Sequence, residues 1–163
     1  TKGNAGQQTQ TGIDLMAQWR FQIGADWTGD LWGNASWVDG EIDEGNGVDW
    51  NLSHVSAYKL KLGATLRYRD RVTVTPRLVW LGDASNGRKN SAKPPERLIT
   101  DGYAVANLHV GWHKLLDGKA TLWLDVYNLF DARYYAAHGS ASRTFFDMPQ
   151  QPRTWMASLE YAF

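Results

Sequence analysis

His109 and His113 stand four residues apart in a stretch where polar and apolar side chains alternate. On an extended strand that spacing puts both imidazoles on one face but roughly 13 Å apart, too far to share a metal ion. They read as polar lining. His54 and His138 fall in loop-like segments, where capture of haem or a metal complex is one reading and plain solvation the other. Lys59, Lys61, Arg67 and Arg77 all occupy odd positions. Such a strip would attract an anionic ligand, or would pair with Asp14, Asp125 or Glu160. Catalysis finds no foothold: Ser, His and Asp occur without a nucleophile elbow or a recognisable carboxylate pair. Gly45-Asn46-Gly47 lacks the strand–turn–helix setting of a phosphate cradle. The absence of cysteine removes disulfides, thiolate metal sites and cysteine nucleophiles together. No cofactor, no metal site and no enzyme activity are expected.

The elements that must hold these side chains are strands of period two. Seven segments alternate over about ten residues, the length a tilted strand needs to cross a bilayer. In the first, Ile13, Leu15, Ala17, Trp19 and Phe21 oppose Asp14, Met16, Gln18 and Arg20. The second, around Leu31 to Asp39, alternates less cleanly. The third sets Leu60, Leu62, Ala64, Leu66 and Tyr68 against Lys59, Lys61, Thr65 and Arg67. The fourth runs from Val72 to Trp80 and carries Pro76 on its apolar face, which removes one ladder hydrogen bond. The fifth runs from Tyr103 to His113, the sixth from Ala120 to Phe130, and the last from Thr154 to Phe163. All the strongly charged positions share the polar faces. A slip of one residue would turn them into lipid at roughly 2–4 kcal/mol for each Arg or Lys near the midplane. The pattern therefore predicts an all-β fold, an antiparallel transmembrane β-barrel.

Composition agrees. Lys+Arg and Asp+Glu balance at 17 each, and no basic stripe for nucleic acid is visible. Nine Trp, seven Tyr and five Phe suit two interfacial girdles. Trp19, Trp112, Tyr68 and Phe163 are expected near one rim and Trp37, Trp80 and Trp155 near the other. No apolar run approaches a membrane helix, and no signal peptide opens the chain. Connections alternate in length. Gln22–Asp30, Arg69–Arg71 and Lys114–Lys119 are short, whereas Gly40–Val55, Gly82–Gly102 and Asp131–Arg153 are long and polar. This is the outer-membrane pattern of periplasmic turns and extracellular loops. With the long loops outside, Thr1–Thr11 is expected in an extracellular loop, and the strand count is odd. Open edges are not viable in hydrocarbon, so further strands are expected to precede Thr1.

The C-terminal residues are more specific. Asn128-Leu129-Phe130-Asp131, followed by Tyr134 and Tyr135, resembles the "NLFD(x)xYY" signature of TonB-dependent receptors. Gln151-Pro152-Arg153-Thr154-Trp155 resembles their lead-in to the final strand, although Met148-Pro149-Gln150-Gln151 replaces the usual Pro-Gly pair. Trp155, Leu159, Tyr161 and the terminal Phe163 resemble the C-terminal signal read by the barrel-assembly machinery. Gly12-Ile13-Asp14-Leu15 is similar to the start of an earlier strand of the family.

The resemblance implies that residues 1–163 are the C-terminal part of a receptor barrel domain, about seven strands of a barrel of about 22. The plug domain and TonB box are not in the chain. The implied activity is active import of a scarce ligand across the bacterial outer membrane, above all a ferric siderophore. Implied partners are outer-membrane lipid and lipopolysaccharide, the TonB complex through the missing N-terminal part, the assembly machinery and an iron-siderophore or similar ligand. Haem, cobalamin, copper and oligosaccharide importers share these strand patterns. Arg67, Arg77, His109 and His138 are the candidate ligand contacts. The alternatives are a passive porin-like or structural outer-membrane barrel and a soluble all-β binding domain.

Overall fold

Alternation of side chains becomes architecture once the strands are in register. The computed structural model describes residues 6–43, 49–89, 97–137 and 147–163. Its long strands are β1 (Gln7–Ile23), β2 (Trp27–Asp43), β4 (Tyr58–Tyr68), β5 (Val72–Leu81), β8 (Tyr103–Leu115), β9 (Ala120–Tyr127) and β12 (Thr154–Tyr161). Short ones are β3 (Asp49–Asn51), β6 (Ala84–Lys89), β7 (Arg97–Thr100), β10 (Tyr135–Ala137) and β11 (Asp147–Pro149). The long strands form one antiparallel sheet in the order β1-β2-β4-β5-β8-β9-β12, with β3 added on β2. Every strand along that path joins its sequence neighbour among them, so the sheet is an up-and-down meander. No helix among the described residues is long and apolar enough to cross a membrane.

The register carries one apolar face across the whole sheet. Leu15 lies opposite Ala35, Ala35 opposite Leu60, Leu60 opposite Trp80, and Trp80 opposite Ala104. Nearer the turns, Val72 faces Trp112, Trp112 faces Leu122, and Leu122 faces Leu159. The faces expected from the sequence hold in all seven strands. Leu60, Leu62, Leu108, Val110 and Leu159 share this face and none is buried. A soluble sandwich would have closed over them. A wall between hydrocarbon and water has no such interior, and no large side chain is fully buried among the described residues.

Three expectations change. β1 begins at Gln7, so residues 7–11 are strand, paired from Gln7↔Asp43 to Thr11↔Asp39, and are not loop. β1 and β2 are 17 residues each, longer than the 9–11 or so that cross a bilayer, so their paired upper arms stand beyond it. The Gln22–Asp30 connection shrinks to a turn between Ile23 and Trp27, helped by Gly24 at φ 61°. Trp27 then meets Tyr68 with centroids 4.9 Å apart and the rings tilted by 47°, an aromatic pair at the turn end. Pro76 does sit in a central strand. The β4–β5 ladder runs from Gly63↔Arg77 to Leu66↔Val74 without the pairs between, while the β5–β8 ladder keeps Pro76↔Leu108. The missing N–H opens one seam and leaves the register intact.

The long connections fold onto one another at the loop end. β6 pairs with β7 and β10 with β11, and Thr100 Oγ1 donates to Asp147 Oδ1 at 2.7 Å between the two hairpins. The His54 N–H donates to Ser85 O at 2.6 Å, and bridges join Ser53 to Ser85 and Ser56 to Ala84. Leu52, Ser56, Ser85, Asn86 and Thr100 are buried there. A cavity of about 280 Å³ lies between these loops and the upper arm of β2, lined by Leu52, Val55, Ser85 and Ile99 among others.

Candidate functional site

The polar face is an ordered surface. Asp30 of β2 accepts from Arg20 Nε at 3.1 Å and from Arg67 Nη1 at 2.8 Å, one carboxylate shared by two guanidiniums. The Ser36 hydroxyl donates to Asp14. His109 Nδ1 donates to Asp125 Oδ1 at 2.6 Å, and His113 Nε2 shares a hydrogen bond with Thr73 Oγ1 at 2.9 Å. Both rings meet Trp123, His109 stacked at 4.7 Å and His113 edge-on at 4.9 Å. Trp123 has room because its cross-strand partner is Gly111, where a Cβ would lie 2.2 Å from the indole. Trp32 lies over Gly63 in the same way.

The candidate ligand contacts therefore separate. Arg67 is tied to Asp30 near the turn end, not to Asp14, Asp125 or Glu160, because the register puts Arg67 opposite Thr28, two residues from Asp30 on the same face. Arg77 and His109 line one recess of about 220 Å³ with Thr75, Asn107, Asp125 and Tyr127. His54 is exposed, and its Nε2 lies 3.1 Å from Asn86 O, so the ring helps to strap the loops. His138 lies outside the described residues, as does Gly45-Asn46-Gly47. Among the described residues no cluster of three metal-ligating side chains occurs.

The signature at the end of β9 is a hydrogen-bonded knot. Asn128 is 2% exposed, in the left-handed region at φ 51°. Its N–H donates to Asn107 Oδ1 at 2.8 Å; its Nδ2 donates to Ala132 O at 2.9 Å and Gln151 O at 3.2 Å; its Oδ1 accepts the Ala132 N–H. Asp131 accepts the Arg153 N–H at 3.0 Å. One side chain pair thus fixes where the last long connection leaves β9 and where it returns to β12. Leu129 continues the β8 ladder through its N–H to Ala106 O at 2.7 Å, leaving Phe130 78% exposed beside the apolar face. Tyr134 meets Tyr103 at 4.6 Å, and Tyr135 opens β10. Trp155, Leu159 and Tyr161 lie on the apolar face of β12, with Phe163 edge-on to Tyr161 at 5.3 Å.

The turn end is laced by charge. Arg69 makes two bonds to the Asp26 carboxylate, at 2.9 and 3.2 Å, and Lys114 donates to Asp70 at 2.9 Å. The Arg69 hydrogen bond holds the Asp26 carboxyl below its ordinary pKa, and the Lys114 hydrogen bond does the same for Asp70.

A polar wall backed by a lipid-matched face, closed at one end by tight turns and at the other by interlocked loops, matches a family. The sequence fits the family model "TonB dependent receptor-like, beta-barrel" over residues 1–129. The chain belongs to the TonB-dependent receptor β-barrel family. Solved structures of this family superpose on most of it. The ferric-catecholate import receptor Fiu of E. coli K12 aligns with a TM-score of 0.67 at 22% identity, over 88% of this chain and 20% of its own. The ferripyoverdine receptor of Pseudomonas aeruginosa gives 0.65 at 17%, over 93% and 19%, and the copper transporter OprC gives 0.65 at 17%, over 96% and 24%. Such identities speak for the fold. The chain spans about a fifth of the length of the structures it matches. No curated protein sequence matches it.

Within the receptor wall, sequence reasoning missed Asp30, Asn107 and the Trp123 platform. Asp30 was expected in a connection, and Asn107 is ordinary until the register sets it beside Asn128. The usable signal was the glycines: Gly63 and Gly111 interrupt polar faces where an indole on the next strand fills the gap.

Proposed function

We propose that the chain forms part of the wall of a bacterial outer-membrane importer that takes up a scarce ligand, above all a ferric siderophore, by a TonB-energised step. The observation that carries this reading is the two-sided sheet. One face is apolar across seven strands, and the other bears the cations Lys59, Lys61 and Arg77 without carboxylate partners among the described residues. Hydrocarbon suits the first face and a polar lumen the second. A cationic lumen favours anionic cargo, since oriented charge in a cleft concentrates the opposite sign. Structures similar in fold include a ferric-catecholate import receptor and a copper transporter, so one wall design serves different cargoes.

In this reading residues 1–163 are the C-terminal part of the barrel domain. A plug domain and TonB box elsewhere in the protein engage the TonB complex. Arg77 and His109 are the wall's ligand contacts and His138 is a further candidate, while Arg67 is structural. Trp155, Leu159, Tyr161 and Phe163 are the residues the assembly machinery reads, and lipid and lipopolysaccharide surround the outer face. No catalytic role is assigned.

Growth of a receptor-deleted strain on a panel of iron and copper sources, with and without the restored full-length gene, tests this. Rescue on at least one ferric chelate, abolished when TonB is removed, is expected. Uptake that persists undiminished without TonB would overturn the energised step in favour of a passive pore.

A further inference from the structure

The inner wall compensates its charges unevenly. Arg20 and Arg67 share Asp30, and His109 holds Asp125. Among the described residues no side-chain hydrogen bond or ion pair reaches Lys59, Lys61 or Arg77. The register sets these three on a descending line. Lys59 lies opposite Leu81 at the loop end, Lys61 opposite Val79, and Gly63 opposite Arg77. The line stops at the recess of about 220 Å³ beside Arg77.

That recess has the parts of a small oxyanion site. Arg77 is exposed to it, and its cross-strand partner on β4 is Gly63, over which the Trp32 indole lies. Asn107 has its carbonyl oxygen occupied by the Asn128 N–H at 2.8 Å, which leaves its amide NH₂ as the available half. Tyr127, whose hydroxyl can donate, lines the recess on the third strand, and one oxygen of Asp125 is taken by His109. A planar guanidinium flanked by neutral donors matches a carboxylate in fork geometry. The negative charge of Asp125 beside it disfavours a dianion such as phosphate and is tolerable to a monoanion.

We infer that the recess formed by Arg77, Asn107 and Tyr127 binds a carboxylate group. This rests on the reading of the polar face as a lumen. Two sources supply that chemistry: a ligand moving through the lumen, or an acidic side chain of polypeptide lying inside it.

Arginine labelling by phenylglyoxal in the full-length protein in detergent, mapped by mass spectrometry, separates them. Arg71 in a turn serves as the internal reference. If the site is open to a diffusible carboxylate, acetate slows Arg77 labelling about fivefold relative to chloride at equal ionic strength, leaving Arg71 unchanged. Tyr127→Phe weakens that protection while leaving the rate in chloride as it was. If an internal acid already occupies the site, Arg77 is unlabelled at low ionic strength and becomes labelled in high salt. Equal rates in acetate and chloride, protection indifferent to Tyr127→Phe, or no labelling at any ionic strength would each overturn the inference. None of these readouts depends on transport, so loss of the importer reading would show in the growth assay alone.

Discussion

Lys61 and Leu62 are adjacent in sequence and live in different solvents. Lys61 shares its face with Asn34 and Val79 across the strands, and Leu62 shares the other with Gly33 and Leu78. The comparison extends to the whole sheet: on the apolar face each position is interchangeable with another of similar hydrophobicity, whereas on the polar face positions are individual. Some polar residues there are fully used by neighbours, as Asp30 is by two arginines, and others are left open, as Arg77 is. Stability is therefore spread evenly over one face and concentrated at a few junctions of the other, and chemistry belongs to the open positions.

The sharpest way to break this contrast is to move a charge by one residue. Leu62→Arg is expected to destabilise the full-length receptor in liposomes by roughly 2–4 kcal/mol, the usual penalty for a guanidinium facing hydrocarbon near mid-depth. Lys61→Leu, on the polar face, is expected to change the unfolding midpoint in urea far less. Equal losses from the two substitutions would mean that both faces meet the same solvent. Next in size is the junction at Asn128. Asn128→Ala leaves the half-buried Ala132 N–H and the Ala132 and Gln151 carbonyls without their side-chain partner, and puts a Cβ residue with no local hydrogen bond at positive φ. A loss of about 2–3 kcal/mol is expected, read as a lower urea midpoint and slower appearance of the heat-modifiable folded band.

How much of this was readable in the residues depends on which face is considered. The apolar face is a simple repeat, so Ile13 to Phe21 and Leu60 to Tyr68 announced their strands and their register before any coordinates. The loop end was not readable, because His54, Ser85 and Thr100 acquire partners through contacts tens of residues distant, which no local period encodes. Strand ends failed for a related reason: beyond the bilayer both faces of β1 and β2 meet water, so Gln7–Thr11 alternates nothing and looked like loop. Of the candidate site, residue types were visible in Arg77 and His109, but not that Arg67 is spent on Asp30. That distinction needs the pairing of β2 with β4, and so it waits on the fold.

A smaller effect tests whether the polar face is packed or merely lined. Gly111→Val places a side chain where the Trp123 ring now lies, a Cβ position 2.2 Å from the indole. A cost of about 1–3 kcal/mol is expected. The double variant with Trp123→Ala should recover part of it, since the clash disappears with the ring. Additive losses would show that Trp123 does not rest on Gly111.

The smallest effect belongs to the turn end, and its sign follows from the ion pairs. Asp26 and Asp70 have pKa values lowered in the folded protein by Arg69 and Lys114. A carboxylate lowered on folding releases its proton more readily in the native state than in the unfolded one. Its contribution is therefore fully present above the ordinary carboxylate pKa and fades as pH falls through the lowered, folded value. With these pairs intact the thermal midpoint in detergent should be insensitive to pH near neutrality and should decline on the acid side. Asp26→Asn combined with Asp70→Asn removes both pairs and should flatten that decline. Both carboxylates face solvent, so the change is modest and shrinks further in high salt. An acid limb of unchanged steepness in the double variant would show that the acid sensitivity does not come from Asp26 and Asp70.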